Sequence, residues 1–353
     1  MEHKNISAYA SLSARQNLKP FSINRRSLKN DDVLISIMYC GVCHTDIHYL
    51  RNDWGITSYP LIPGHEIIGE IEEVGKKVKK FKKKDLVGVG VLVDSCRRCF
   101  SCKSNLEQYC DLGATFTYNA PDKIMGGRTF GGYSEKIVVN EKFVLRIPKN
   151  LDTKAVAPLL CAGITTYSPL KRWGVKLNDK IGIIGMGGLG HIAVKFARAM
   201  GAEVYVITSS KNKVSDAKKL GAKNVIISSN QKSLDLYQNK FDFLLNTIPN
   251  SHDLNKYLNL LKKDRTMVVV GAIENFKNVN MRGLIFGRKS LSGSLIGGIK
   301  ETQEMLNFCS KKNIVCDVEL ISIEKINEAL QRLIKADVKY RFVIDMKTLK
   351  QKT

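Results

Sequence analysis

The chain has 353 residues, of which 44% are hydrophobic and 25% charged. Such a composition supplies a core, excludes disorder throughout, and suits about two domains. Lys and Arg number 56 against 33 Asp and Glu, a formal net charge of +23. That excess admits a nucleic acid, an anionic membrane surface or a small anion as partner, and only motifs can choose.

Residues 1–20 contain no apolar stretch of signal-peptide type. The richest apolar window, 155–170, is interrupted by Pro158, Gly163 and Pro169, so it falls short of the roughly 18–20 apolar residues of a membrane span. A soluble, cytoplasmic protein without a membrane partner is expected. Nine cysteines, clustered and odd in number, then suggest metal binding or catalysis rather than disulfides.

Residues 1–150 read as strand-rich, with apolar runs at 33–39, 67–74, 86–93 and 137–139 separated by Gly and Pro. Between the first two runs lie Cys43-His44-Thr45-Asp46, within GVCHTDIH, and Gly64-His65-Glu66. With Cys161 of APLLCAGITTYSPLK they supply two thiols, an imidazole and a carboxylate, a workable ligand set for a catalytic zinc. Glu66 is either a permanent fourth ligand or one that leaves when water or substrate binds. Asp46 suits a role in orienting His65 through its other ring nitrogen.

Residues 76–84 hold seven lysines in nine positions. The run joins two strands and reads as a solvated turn rather than a nucleic-acid surface. Cys96, Cys99, Cys102 and Cys110 follow within 15 residues. Four thiolates close a tetrahedral shell around zinc and leave no position open for chemistry, so this lobe should be structural. An iron–sulfur cluster would need a redox role that the rest of the chain does not suggest. A zinc-ribbon nucleic-acid module is set aside because the lobe interrupts a longer fold.

From residue 180 the pattern changes. Runs at 181–184, 204–207, 225–227, 241–245, 267–270 and 291–296 alternate with helical stretches that include 189–200 and 211–220. Six buried strands with helical crossovers predict a doubly wound parallel sheet, hence an α/β fold. Helical patterns at 301–311 and 323–334 and a strand at 340–344 close the chain. The expected layout is one β-rich domain from 1–153 and 296–353, interrupted by a dinucleotide-binding domain at 154–295.

Gly185-Met186-Gly187-Gly188-Leu189-Gly190 fits G-x-G-x-x-G, follows the first of these strands and opens a helix. The motif lets backbone amides approach a pyrophosphate at a helix N-terminus. The second strand ends in Thr208-Ser209-Ser210-Lys211-Asn212-Lys213, with no carboxylate to hold a ribose 2′-hydroxyl. Thr208, Ser209, Ser210 and Lys213 suit a 2′-phosphate instead, which selects NADP(H) over NAD(H).

The stretches GVCHTDIH, YPLIPGHEIIGEIEEVG, the four-cysteine lobe, GGYSEKIVV, APLLCAGITTYSPLK, GMGGLGHIAVKFA and GSLIGGIKETQEMLNF span about 30 to 345. On these, the chain resembles the zinc-containing medium-chain alcohol dehydrogenases, in particular their cinnamyl alcohol dehydrogenase and bacterial aldehyde reductase group. The resemblance implies a GroES-like catalytic domain, a Rossmann domain, two zinc ions per subunit, NADP(H) and a homodimer. It implies Cys43, His65, Glu66 and Cys161 as catalytic zinc ligands and the four lobe cysteines as structural ones. Thr45 matches the hydroxyl of a proton relay and His48 the histidine that passes the proton to solvent. His44 falls where the cofactor phosphates are contacted, and Arg341 where some members hold the pyrophosphate. Trp54, Phe116 and Leu295 are implied to line the substrate pocket. The activity expected is reversible reduction of aldehydes to primary alcohols, aromatic, cinnamyl or broad-range. The rival readings are an NAD-dependent alcohol or polyol dehydrogenase of the same fold, and a non-catalytic dinucleotide-binding protein.

Overall fold

A computed structural model describes residues 3–271, 275–276 and 278–349. The chain forms two compact units, Met1–Cys161 with Gly297–Thr353, and Ala162–Ile296. Against the expected boundaries, the first unit therefore keeps residues 154–161, with Cys161 its last residue before the chain leaves, and Ile296 goes with the second.

The first unit is built on a seven-stranded sheet whose centre is Asp32–Gly41. This strand is buried or half-buried along its whole length, which explains its nearly unbroken apolar sequence. One edge pairs antiparallel with Ile67–Val74. The other edge serves two partners in succession: Lys136–Asn140 over residues 32–36, then Arg341–Asp345 over residues 39–41. Val318–Ser322 extends the sheet beyond Arg341–Asp345 in parallel. Leu86–Val89 and Leu145–Arg146 extend it on the opposite side.

The expected run at 86–93 is two strands. Leu86–Val89 stays in the main sheet, and Leu92–Asp94 pairs with Thr115–Phe116 at the base of the cysteine lobe. Gly90 lies at the break, where a Cβ would come within 3.0 Å of the Leu160 carbonyl oxygen. An N-terminal hairpin, His3–Ala10 with Lys19–Arg25, was not read from the sequence. The lysine run is a turn anchored by the buried ring of Phe81, with every lysine exposed. Glu141 Oε2 accepts the backbone N–H groups of Lys79 and Lys80.

The second unit holds a six-stranded, wholly parallel sheet. Its order is Asn224–Ile227, Glu203–Thr208, Lys180–Ile184, Phe241–Asn246, Leu261–Val269, Ser290–Gly293. This is the doubly wound order in which the chain reverses direction beside the first strand, where dinucleotides bind. Ile184, Ile207, Phe241, Leu244, Leu261 and Met267 belong to one buried cluster of the sheet's core. The sixth strand departs from expectation. It stops at Gly293, has no fully buried residue and forms the sheet's edge. The helix Ala162–Arg172 runs through Pro169 and packs on Gly190–Ala199, with Tyr167 edge-on to Phe196 at 5.4 Å. Among the described residues, no helix is long and apolar enough to cross a membrane.

Candidate active site

The pairing of the central strand with Arg341–Asp345 and Ile67–Val74 brings three distant segments to one point. Gly41 donates its N–H to Glu66 O at 2.9 Å, and Val42 donates to Phe342 O at 3.0 Å. Gly41 also admits the Glu66 side chain, since a Cβ there would stand 1.9 Å from Glu66 Oε2. Any larger residue would displace that carboxylate.

Ligand atoms of Cys43, His65, Glu66 and Cys161 all lie within 4.8 Å of one another, and all four residues are buried. His65 Nε2 and Glu66 Oε2 are buried without a hydrogen-bond partner. Such orphaned polar atoms are costly unless something else engages them. The local charges tell the same story. Cys43 is held well below the ordinary thiol range, first by its hydrogen bond with Cys161 and then by His65, against the effect of burial, while the same pair pushes Cys161 up. Burial opposes a charged His65, but Asp46 and Cys43 outweigh it and hold the imidazole well above its usual value. Burial lifts the Glu66 carboxyl to about 7 even though Arg341 opposes the rise. Two thiols, one imidazole and a carboxylate competing for protons at one dry point are the donor set of a zinc site. The residues fit the ion that the sequence implies.

Asp46 is fully buried and faces His65 Nδ1 at 3.5 Å, which turns Nε2 of the ring to the ligand cluster. Its two oxygens accept from Cys43 N at 2.9 Å, Gly64 N at 3.3 Å, Tyr118 OH at 2.7 Å and Tyr133 OH at 3.1 Å. The tyrosines were missed in the sequence, because nothing in the spacing of residues 118 and 133 relates them to residue 46.

The helix His44–Arg51 starts immediately after Cys43, whose side chain accepts no capping hydrogen bond; the Asp46 carboxylate instead reaches back to the Cys43 backbone N–H. Thr45 Oγ1 lies 3.5 Å from Cys43 Sγ. One turn on, His48 Nδ1 meets Asp53 Oδ2 at 2.9 Å and stacks on Trp54 at 5.0 Å. His44 is pushed below the usual imidazole value by burial. Phe116 is half-buried, and Leu295, in the second unit, is 40% exposed. Arg341, matched by resemblance to the pyrophosphate site, meets Glu66 within the first unit. It is buried and ion-pairs through Nη2 with Glu66 Oε1.

The lobe brings Cys96, Cys99, Cys102 and Cys110 equally close, within 4.8 Å. Cys96 Sγ and Cys102 Sγ are 3.8 Å apart, the edge of a tetrahedron with zinc–sulfur bonds of about 2.3 Å, against about 2.05 Å for a disulfide. Among the described residues no disulfide links any of the nine cysteines. Backbone N–H groups of Cys96, Cys99 and Cys102 point at the sulfurs of Cys110, Cys96 and Cys99 at 3.4–3.5 Å. Backbone donation from Arg98 and Cys99 brings the Cys96 thiol down to about 6, whereas burial pushes the Cys102 thiol up to about 12. These donors favour thiolates, the form that binds metal.

In the second unit, the turn 185–190 divides its glycine roles. Gly185 has φ +95° and makes the turn, and Gly190 lets the helix approach to where a Cβ would meet Gly185 O at 2.2 Å. A Cβ on Gly187 would have no neighbour within 4 Å, so its face stays open for a ligand. Thr208 ends the second strand, and Ser209 and Ser210 lead into a short turn, Lys211–Lys213. Lys213 is half-buried, and burial lowers its pKa.

A split β-rich unit with a closed four-cysteine lobe and a mixed Cys/His/Glu cluster, alongside a dinucleotide-type sheet, defines a zinc-dependent dehydrogenase class. Comparison with known proteins agrees. Residues 29–149 match the alcohol dehydrogenase GroES-like domain, and residues 188–311 match the zinc-binding dehydrogenase domain. Aldehyde reductase YahK of Escherichia coli K12 is 50% identical over 346 residues, covering 98% of this chain and 99% of that one. A cinnamyl alcohol dehydrogenase from Sorghum bicolor superposes with a TM-score of 0.96 at 39% identity, covering 99% of this chain and 100% of that one. The structure of CAD from Helicobacter pylori complexed with NADP(H) gives 0.92 at 43% identity, over 98% and 99%. The chain belongs to the zinc-containing medium-chain alcohol dehydrogenase family, within its cinnamyl alcohol dehydrogenase and aldehyde reductase group.

Proposed function

We propose that the chain interconverts aldehydes and primary alcohols with NADP(H), acting on aromatic, cinnamyl-type or a broad range of aldehydes. The observation that carries this reading is the buried cluster at Cys43, His65, Glu66 and Cys161, with two of its polar atoms orphaned. In this reading Cys43, His65 and Cys161 hold a catalytic zinc. Glu66 is their fourth partner or yields its place to substrate, and Arg341 is the cation waiting beside it. The lobe cysteines hold a second, structural zinc. When bound, zinc supplies a Lewis acid for the carbonyl oxygen and NADP(H) supplies the hydride.

This chain's residues do the rest. The turn Gly185, Gly187, Gly188, Leu189 and Gly190 receives the pyrophosphate at the start of the helix Gly190–Ala199. Thr208, Ser209, Ser210 and Lys213 receive the 2′-phosphate. Thr45, beside Cys43, gives a proton to the oxygen that gains charge. His48 lies one turn along the same helix, where residues three apart share a face, and exchanges the proton with solvent while Asp53 holds its ring. Trp54 and Phe116 select flat, apolar aldehydes by burial.

The protein works in the cytoplasm as a homodimer in this reading. The half-exposed edge strand Ser290–Gly293, preceded by exposed Ile285 and Phe286, supports self-association, since an open sheet edge is a template for pairing. The test is NADPH oxidation over a panel of aldehydes, with and without chelator. Turnover that falls on chelation is expected, with NADH much poorer. No turnover of any aldehyde overturns the enzymatic reading, and faster turnover with NADH overturns the cofactor assignment.

A further inference from the structure

Asp46 is a buried carboxylate that four donors hold in place, and the donors are not equivalent. Oδ2 is taken by Cys43 N and Tyr133 OH. Oδ1 is taken by Gly64 N and Tyr118 OH, and it is also the oxygen that faces His65 Nδ1. Tyr118 has a second contact. Its ring stacks on the His65 imidazole, centroids 5.6 Å apart and planes 30° apart. One side chain therefore touches both members of the carboxylate–imidazole pair. Its hydroxyl sets the position of the oxygen, and its face sets the plane of the ring. Tyr49 meets Tyr118 edge-on at 5.1 Å from the other side and restricts the ring further.

We propose that Tyr118 is a positioning residue for the catalytic metal, acting through Asp46 and His65 to aim His65 Nε2 at Cys43 and Cys161. The inference rests on the reading of that cluster as a zinc site. The physical argument is one of reach. A carboxylate oxygen has two lone-pair directions. With Gly64 N at the long distance of 3.3 Å, Tyr118 at 2.7 Å is the dominant donor to Oδ1 and fixes where that oxygen stands against His65 Nδ1, 3.5 Å away. Without the hydroxyl, Oδ1 keeps only the long hydrogen bond from Gly64 N while Oδ2 stays held, so the oxygen that faces His65 is the one that loosens and the imidazole loses its reference. Partners at this remove from a metal typically alter its affinity 10–100-fold.

The experiment measures zinc affinity on the full-length protein by chelator competition, with the lobe zinc as internal standard. It also records the visible spectrum after cobalt replaces the catalytic zinc. Tyr118→Phe keeps the stacked ring and removes only the hydroxyl. Catalytic-site affinity is expected to fall about 10-fold, lobe affinity to stay unchanged, and the cobalt bands to shift. Asp46→Asn is expected to do the same, and adding Tyr118→Phe to it should produce no further loss, because both act through one carboxylate. A purely structural tyrosine would lower the melting temperature without separating the two metals. Wild-type affinity and an unshifted spectrum in Tyr118→Phe overturn the proposal, as do additive losses in the double variant. Should Tyr118→Phe not fold, Tyr133→Phe against Asp46→Asn decides: a cobalt shift from Tyr133→Phe equal to that of Asp46→Asn assigns the control to the Oδ2 side and overturns the proposal, whereas a smaller one supports it. Wild-type protein that binds one zinc alone refutes the underlying reading instead.

Discussion

The two cysteine clusters gather four ligand atoms within the same 4.8 Å, yet they are built in opposite ways. The lobe draws its ligands from 15 consecutive residues. Two of the four are half-exposed, and local backbone N–H groups secure the sulfurs. The active-site cluster draws on residues 43, 65, 66 and 161, is buried throughout, and owes its shape to the sheet that brings those segments together. A local site can form wherever its segment folds. A site assembled by a sheet is only as accurate as the sheet, and it gains in exchange a dry setting and a mixed donor set suited to chemistry.

This contrast can be broken in several ways. The largest effect is expected from His65→Ala, which should reduce kcat by about 1,000-fold or more. Metal analysis should then find one zinc per chain, and retention of two would refute the ligand assignment. Cys99→Ser should do the reverse: the lobe zinc is lost and the melting temperature falls by about 5–10 °C, while freshly prepared protein keeps its kcat within a few-fold. Differential scanning calorimetry and metal analysis on one sample would separate the two outcomes. Gly41→Ala tests the sheet's accuracy. The added Cβ must push Glu66 away from Arg341, at about 1–3 kcal/mol in stability and a measurable loss of kcat. An unaltered denaturation midpoint and kcat would show that the carboxylate has room to spare. The smallest effect lies in the second unit. Lys213→Ala should raise the KM for NADPH about 10-fold and leave that for NADH alone, whereas a parallel rise in both would deny Lys213 its part in holding the 2′-phosphate.

Legibility in the sequence followed the same divide. The lobe was readable from spacing, because its ligands sit on one short segment. The parallel sheet was readable from apolar runs at regular intervals, and G-x-G-x-x-G from the glycines that its turn and helix packing require. The mixed cluster was readable only because its residue types are distinctive. Its support was not. Tyr118 and Tyr133 stand 72 and 87 residues from the Asp46 they hold. Gly41 looks like any strand glycine until Glu66 is seen to lie against it. The sixth strand read as buried because Leu291 and Ile296 are apolar, but only the sheet order reveals an edge. In each case the missing information was a partner far away in the chain.

The pairing of Glu66 with Arg341 sets a timetable. The two residues are 275 positions apart, so at about 5–20 residues per second a ribosome needs about 14–55 s to make the arginine after the glutamate. The lobe's last cysteine, Cys110, and the cluster's last thiol, Cys161, have both been synthesised long before. A nascent chain can therefore close its structural site while the sheet that assembles the catalytic cluster still lacks its final strand. The cation beside Glu66 arrives only when the final strand takes its place against residues 39–41, so the completed carboxylate–guanidinium pair is among the last features of the active site to mature.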